Sequence, residues 1–218
     1  MTGLRACVIA VAAFFASAAA ASADVIYSDL NFEGGGAPVA DWSDYWQVCC
    51  AVFPAMSFTS ASTASVTQIE VALIGRQSTP QSVTASLWSE TSGHLGSQIG
   101  AWTINNIVLG DGLYTISGIT GVSLTAGSSY FLELRMKSGS EVDWAYNSLY
   151  PTAMGTVCDG NSGSCLSNQT LGAFEVDGTP VPEPASLLLL TTALLGSVPF
   201  LRRRMQRPTR TARGRARA

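Results

Sequence analysis

The sequence predicts an all-β protein: a single jelly-roll-like β-sandwich carried between an N-terminal signal peptide and one C-terminal transmembrane helix. Three observations predict it. Apolar residues in the middle of the chain recur with a period of two, turn-forming clusters separate these runs, and each end carries an uncharged apolar stretch. A sheet with one apolar face must bury it against another layer, so several short amphipathic strands imply a sandwich.

Residues 1–23 contain one charged side chain, Arg5, followed by an apolar run from Ala6 to Phe15. That run is too short to cross a bilayer as a helix, which takes about 20 apolar residues. It ends in the small residues Ala21-Ser22-Ala23, directly before Asp24. A basic start, a short apolar centre and an A-x-A end are the layout of a secretory signal peptide. Signal peptidase is expected to cut after Ala23, with Ala21 and Ala23 as the small residues its narrow pocket accepts.

The strands come next, over a domain expected at residues 24–180. Ile69, Val71 and Leu73 alternate with Gln68, Glu70 and Ala72, and Val83, Ala85 and Leu87 alternate with Thr84 and Ser86. Tyr130, Leu132, Leu134 and Met136 alternate with Phe131, Glu133 and Arg135, and Val142, Trp144 and Tyr146 alternate with Asp143 and Ala145. The runs are punctuated by Ser78-Thr79-Pro80, Ser92-Gly93-His94-Leu95-Gly96, Gly110-Asp111-Gly112, Thr125-Ala126-Gly127 and Ser138-Gly139. No stretch here keeps a helical period.

Charge narrows the partners. From Asp24 to Asp177 the chain has fourteen acidic residues against Arg76, Arg135 and Lys137, a net of −11, and the overall −3 arises because eight arginines sit between Arg202 and Arg217. An acidic domain repels phosphate backbones, so no nucleic-acid partner is expected. Four cysteines remain after the signal peptide leaves: Cys49, Cys50, Cys158 and Cys165. An even number in an exported chain points to disulfides, with three pairings open. Cys158 and Cys165 bracket a turn-forming stretch that closes easily on itself. The other arrangement gives each of them one partner from the vicinal Cys49-Cys50.

Candidate chemistry is sparse. His94 is the single histidine, lies between turn residues, and has no G-x-S-x-G serine to serve, so it reads as a turn residue. Asp41, Asp44, Glu141 and Asp143 are the carboxylates that a glycoside-acting enzyme would need as a pair. No spacing singles them out, and no enzymatic role is expected. Asp159-Gly160-Asn161-Ser162-Gly163 offers oxygen ligands at alternate positions, but Thr170 stands where an EF-hand loop has its final acid. A closed surface loop is therefore preferred over calcium, and no cofactor is expected. Trp42, Tyr45 and Trp46 crowd one acidic segment, with Trp144, Tyr146 and Tyr150 further on. Trp88, Trp144 and Tyr146 fall on alternating faces and read as core. Trp42, Trp46 and Tyr150 are the candidates for stacking on sugars.

At the carboxyl end, Val181-Pro182-Glu183-Pro184 leads into seventeen uncharged residues, 185–201, then Arg202-Arg203-Arg204. At about 1.5 Å per residue these seventeen make a helix just long enough to span a bilayer. Arginines stay on the cytoplasmic side, so the domain faces outward. Residues 205–218 form an Arg-rich cytoplasmic tail without an aromatic residue to stack on bases.

A Pro-Glu-Pro tripeptide, a single apolar helix and an arginine cluster resemble the PEP-CTERM sorting signal of bacterial exported proteins, here over residues 181–204. The resemblance implies that exosortase recognises and removes the tail. It implies delivery to the cell surface or an exopolysaccharide matrix, as in a biofilm. Unlike most such signals, this one is followed by further residues, to Ala218. A second resemblance covers roughly residues 50–136. Ala55-Met56-Ser57-Phe58-Thr59, Thr67-Gln68-Ile69-Glu70-Val71, Ser86-Leu87-Trp88-Ser89, Gly93-His94-Leu95-Gly96 and Leu124–Phe131 are similar to the choice-of-anchor β-domains found before PEP-CTERM tails. Leu95 stands where those domains usually have proline. The resemblance brings no catalytic residues with it.

Overall fold

A computed structural model of the chain describes residues 23–30, 40–48, 52–137, 139–147 and 154–181. Residues 1–22, Cys49, Cys50, Tyr150, the Pro182-Glu183-Pro184 motif, the apolar stretch 185–201 and the arginine cluster lie outside the described residues. Among the described residues no helix is long and apolar enough to cross a membrane.

In chain order the strands are β1 (Asp24–Ser28), β2 (Ala40–Val48), β3 (Pro54–Thr59), β4 (Ala64–Gly75), β5 (Gln81–Thr91), β6 (His94–Ile107) and β7 (Gly110–Ser117). They continue with β8 (Ser123–Leu124), β9 (Ser129–Met136), β10 (Val142–Asn147), β11 (Met154–Asp159), β12 (Cys165–Thr170) and β13 (Phe174–Pro180). They form two antiparallel sheets, as a β-sandwich requires. One follows the order β1-β13-β4-β10-β2, with β7 and β8 also on β4; the other runs β12-β11-β3-β9-β5-β6.

The inner faces hold the expected alternation. Ile69, Val71 and Leu73 of β4 meet Val83, Ala85 and Leu87 of β5 and Leu132 and Leu134 of β9 in one core, all fully buried. Trp144 and Phe174 pack edge-on within it, ring centroids 5.7 Å apart. Burial of such side chains, about 1.5–3 kcal/mol each, is the main force holding the two sheets together.

Trp88 departs from expectation. It is one residue out of phase with core Leu87, so it lies on the outer face of its sheet. There it packs on Ala55, Phe131 and Cys158 and donates its indole N–H to Glu133 at 3.0 Å. Tyr146, also expected in the core, is half-buried beside Trp46. The turn before β6 is shorter than the glycine-rich stretch suggests. Ser92 and Gly93 alone form it, with φ of 53° and 81°, the two positive values that a tight hairpin turn demands. His94 already opens β6 opposite Thr91. Asp111 and Gly112, expected in a turn, pair with Ile74 and Leu73 inside the sheet.

Where β10 separates from β4, residues 171–173 wedge between them. Ala72 donates its N–H to the Ala173 carbonyl at 3.1 Å, Ala173 donates to Ala145 at 2.8 Å, and Gly172 bridges Tyr146. Small residues occupy the junction because three backbones meet there.

Candidate functional site

A second divergence of strands, where β11 leaves β3, opens a cleft beside β1. β11 pairs with β3 only from Pro54 to Met56. At Ser57 the side chain takes over, its Oγ accepting the Thr156 N–H at 2.8 Å, and beyond it the edge of β3 is open. Ser57, Phe58 and Thr59 from β3, Ser129 from β9, Met154 and Gly155 from β11, Leu171, and Tyr27, Ser28 and Asp29 line a cleft of about 430 Å³. That lies within the range of about 300–1,000 Å³ common for small-ligand sites.

Asp29 is the most unusual group in it. It is 1% exposed. Its Oδ1 accepts the Phe174 N–H at 2.6 Å and its Oδ2 the Tyr27 hydroxyl at 3.2 Å. Burial, which penalises the charged form, pushes its pKa up to about 8 against the pull of those hydrogen bonds. Burial and the neighbouring Asp29 also raise Tyr27, so its phenol keeps its proton. The Tyr27 ring packs on Phe58 and Phe174, centroids 5.2 and 4.8 Å away. Thr59 and Ser129 face each other across β3 and β9, hydroxyls 3.3 Å apart. A floor of apolar side chains under a rim of hydroxyls is the result.

The sugar-stacking candidates are separated by a bulge. Tyr45 pairs with Ala145 but Asp41 with Tyr146, so residues 42–44 have no partner in register. Asp41 stabilises the bulge, its Oδ1 accepting from Ser43 N at 3.0 Å and Ser43 Oγ at 2.6 Å, and these bonds lower its pKa. Trp42 consequently packs on the outer-face cluster with Ala72, Ala145 and Ala173, whereas Trp46 packs against the main core. Trp46 donates its indole N–H to Thr170 at 2.8 Å and lines a second cleft of about 320 Å³ with Val52, Pro54, Val157 and Leu166. The two indoles form no shared platform.

Of the candidate carboxylates, Asp143 is buried and paired with Arg76, whose guanidinium also stacks over Tyr45 at 4.3 Å. Burial nonetheless raises the Asp143 pKa above its usual value, Arg76 opposing. Asp159 is consumed by its own loop: Oδ1 accepts from Phe53 and Asn161, and Oδ2 from Ser162. These bonds outweigh burial and lower its pKa. Among the described residues no group of three or more His, Cys, Asp or Glu is placed to hold a metal.

Cys158 and Cys165 pair across the β11–β12 hairpin and form a disulfide, seven residues apart in sequence. His94 Nδ1 lies 3.3 Å from Cys165 Sγ. Cys158 supports Phe131 and Trp88 on the outer face, so the bond also clamps that cluster. The Cys158→Ser/Cys165→Ser protein is expected to lose roughly 2–3 kcal/mol of unfolding free energy, the loop-closure value for so short a loop. Chemical denaturation of both proteins under oxidising conditions measures it.

Residues 180–204 match the family model for the PEP-CTERM protein-sorting motif. No curated protein matches the chain. The chain therefore carries an exosortase sorting signal, the mark of an exported protein made as a membrane-anchored precursor. The match begins at Pro180, the last residue of β13.

Proposed function

We propose that the protein is a non-enzymatic component of the cell surface or exopolysaccharide matrix, delivered there when exosortase removes its tail. The sorting motif at residues 180–204 carries this reading. Once the tail is cut, and after signal peptidase has removed residues 1–23, the β-sandwich is what reaches the surface. Before the cut, residues 185–201 hold the precursor in the membrane, the domain faces the periplasm, and Arg202, Arg203 and Arg204 stay inside. Two of the four carboxylates that a glycosidase could use are already engaged, Asp143 by Arg76 and Asp41 by Ser43.

The double variant Pro182→Ala/Pro184→Ala is expected to accumulate as a full-length, membrane-retained form. Immunoblotting of membrane and released fractions with an antibody against the β-sandwich domain measures it. Release at the parent level would exclude recognition at this motif.

A second reading, a module that binds the exopolysaccharide itself, is favoured by one observation. The domain has a hydroxyl-rimmed cleft of small-ligand size beside β1 and β3.

A further inference from the structure

We propose that the cleft between β1 and the open edge of β3 binds a neutral saccharide segment of a polymer. This rests on the second reading above and gives it a place and a ligand class. Saccharides are amphiphilic: their ring C–H faces seek apolar or aromatic surface and their hydroxyls need partners on the rim. Half-buried Tyr27 and Met154 supply the first, backed by buried Phe58 and Leu171. Ser57, Thr59 and Ser129 supply the second.

The hydrogen-bond inventory leaves capacity there. Ser57 Oγ accepts from Thr156, so its own hydrogen is free to point at a ligand. Thr59 and Ser129 share a single hydrogen bond, which leaves one of their two hydroxyl hydrogens for the cleft.

Charge then selects the class. Among the described residues no lysine or arginine lines the cleft, and the acid beneath its floor is Asp29. A uronate or a sulfated sugar would enter without a cation to meet it, and would face Asp29 once that group ionises. The Trp46 cleft is less suited to the task. Its indole N–H is spent on Thr170, and Val52, Pro54, Val157 and Leu166 make it mainly apolar.

The test uses the full chain in a sugar-free zwitterionic detergent, passed over immobilised dextran, mannan and galactan, with alginate as the anionic control. The parent is expected to be retained on at least one neutral resin and roughly ten-fold less on alginate. Thr59→Ala/Ser129→Ala should lower neutral retention about ten-fold, the loss expected from two hydrogen bonds. Thr59→Trp, which fills the cleft from an exposed position, should abolish it. Trp46→Ala should bind as the parent does. The two cleft variants are independent, so early melting of one leaves the other to decide. Retention unchanged in both, with loss in Trp46→Ala, would overturn this cleft while leaving polymer binding intact. If no neutral resin retains the parent, the cleft proposal and the binding reading fall together.

Discussion

Replacing Asp29 by Asn is expected to stabilise the protein at pH 8 and to leave it nearly unchanged at pH 4. Asp29 is buried, and its pKa is raised from the ordinary 3.8 to about 8. Between those values the native state holds a proton that the unfolded chain releases. Stability from this group is thus fully present below pH 3.8 and is lost as pH rises through about 8. The slope is about 1.4 kcal/mol per pH unit, so the loss across the window is several kcal/mol. Glu175, Asp177 and Asp143 are also raised, each first by burial, and act in the same direction. Asparagine keeps the oxygen that accepts from Phe174 and places an amide donor opposite the Tyr27 oxygen. It therefore removes the titrating group and reverses the bond to Tyr27, whose oxygen then accepts. Urea unfolding from pH 4 to pH 9 should show the parent weakening steadily and Asp29→Asn following a flatter curve. Parallel curves would mean that Asp29 is ionised in the native state.

Gly172→Ala should be among the most damaging single-methyl changes in the domain. A Cβ built there meets Trp144 ring carbons at 2.6 and 2.7 Å, closer than real contacts allow. The ring has nowhere to go. Trp144 is fully buried, its Nε1–H donates to the Ala173 carbonyl at 3.0 Å, and its face is closed by Phe174. Overpacking of this kind costs about 1–3 kcal/mol, and truncating a buried Trp to Ala costs about 3–5 kcal/mol. Gly172→Ala is expected near the upper end of the first range. A smaller ring should make room, so Trp144→Phe/Gly172→Ala should be less destabilised than the sum of its single changes. Additive values in denaturant melts would show that the two positions do not share the strain.

The legibility of the fold follows from how each strand is buried. β4, β5 and β9 pack one face on the core and leave the other mostly polar, so Ile69, Val83 and Leu132 and their alternate neighbours announce them. β6 pairs only with β5 in its sheet and is half-exposed or exposed at most positions, so no alternation marks its length. In β2 the bulge at residues 42–44 reverses the phase, which puts Trp42 and Trp46 on different clusters although their spacing suggests one face. Trp88 misleads for another reason. The β11–β12 hairpin and its disulfide lend the outer face of β5 and β9 a small apolar cluster of their own, and a period-two reading expects polar residues there.

The cleft is the least legible feature. Tyr27, Ser57, Ser129 and Met154 come from four strands, and only pairing across β3–β9 and β3–β11, with the β1 segment alongside, gathers them. The one local sign is Asp29, an acid in phase with Tyr27 at the end of a short apolar strand. The sorting signal is the opposite case. Its chemistry is linear, so Pro182, Glu183, Pro184 and the arginines after the apolar stretch carry it without any fold.

Intact-mass and terminal-peptide analysis of the protein collected from the cell surface tests the export and sorting route most directly. The expected species starts at Asp24, keeps the Cys158–Cys165 bond and lacks the arginines from Arg202 onward. A full-length chain in the cytosol, still carrying residues 1–23 and the arginine tail, would contradict it.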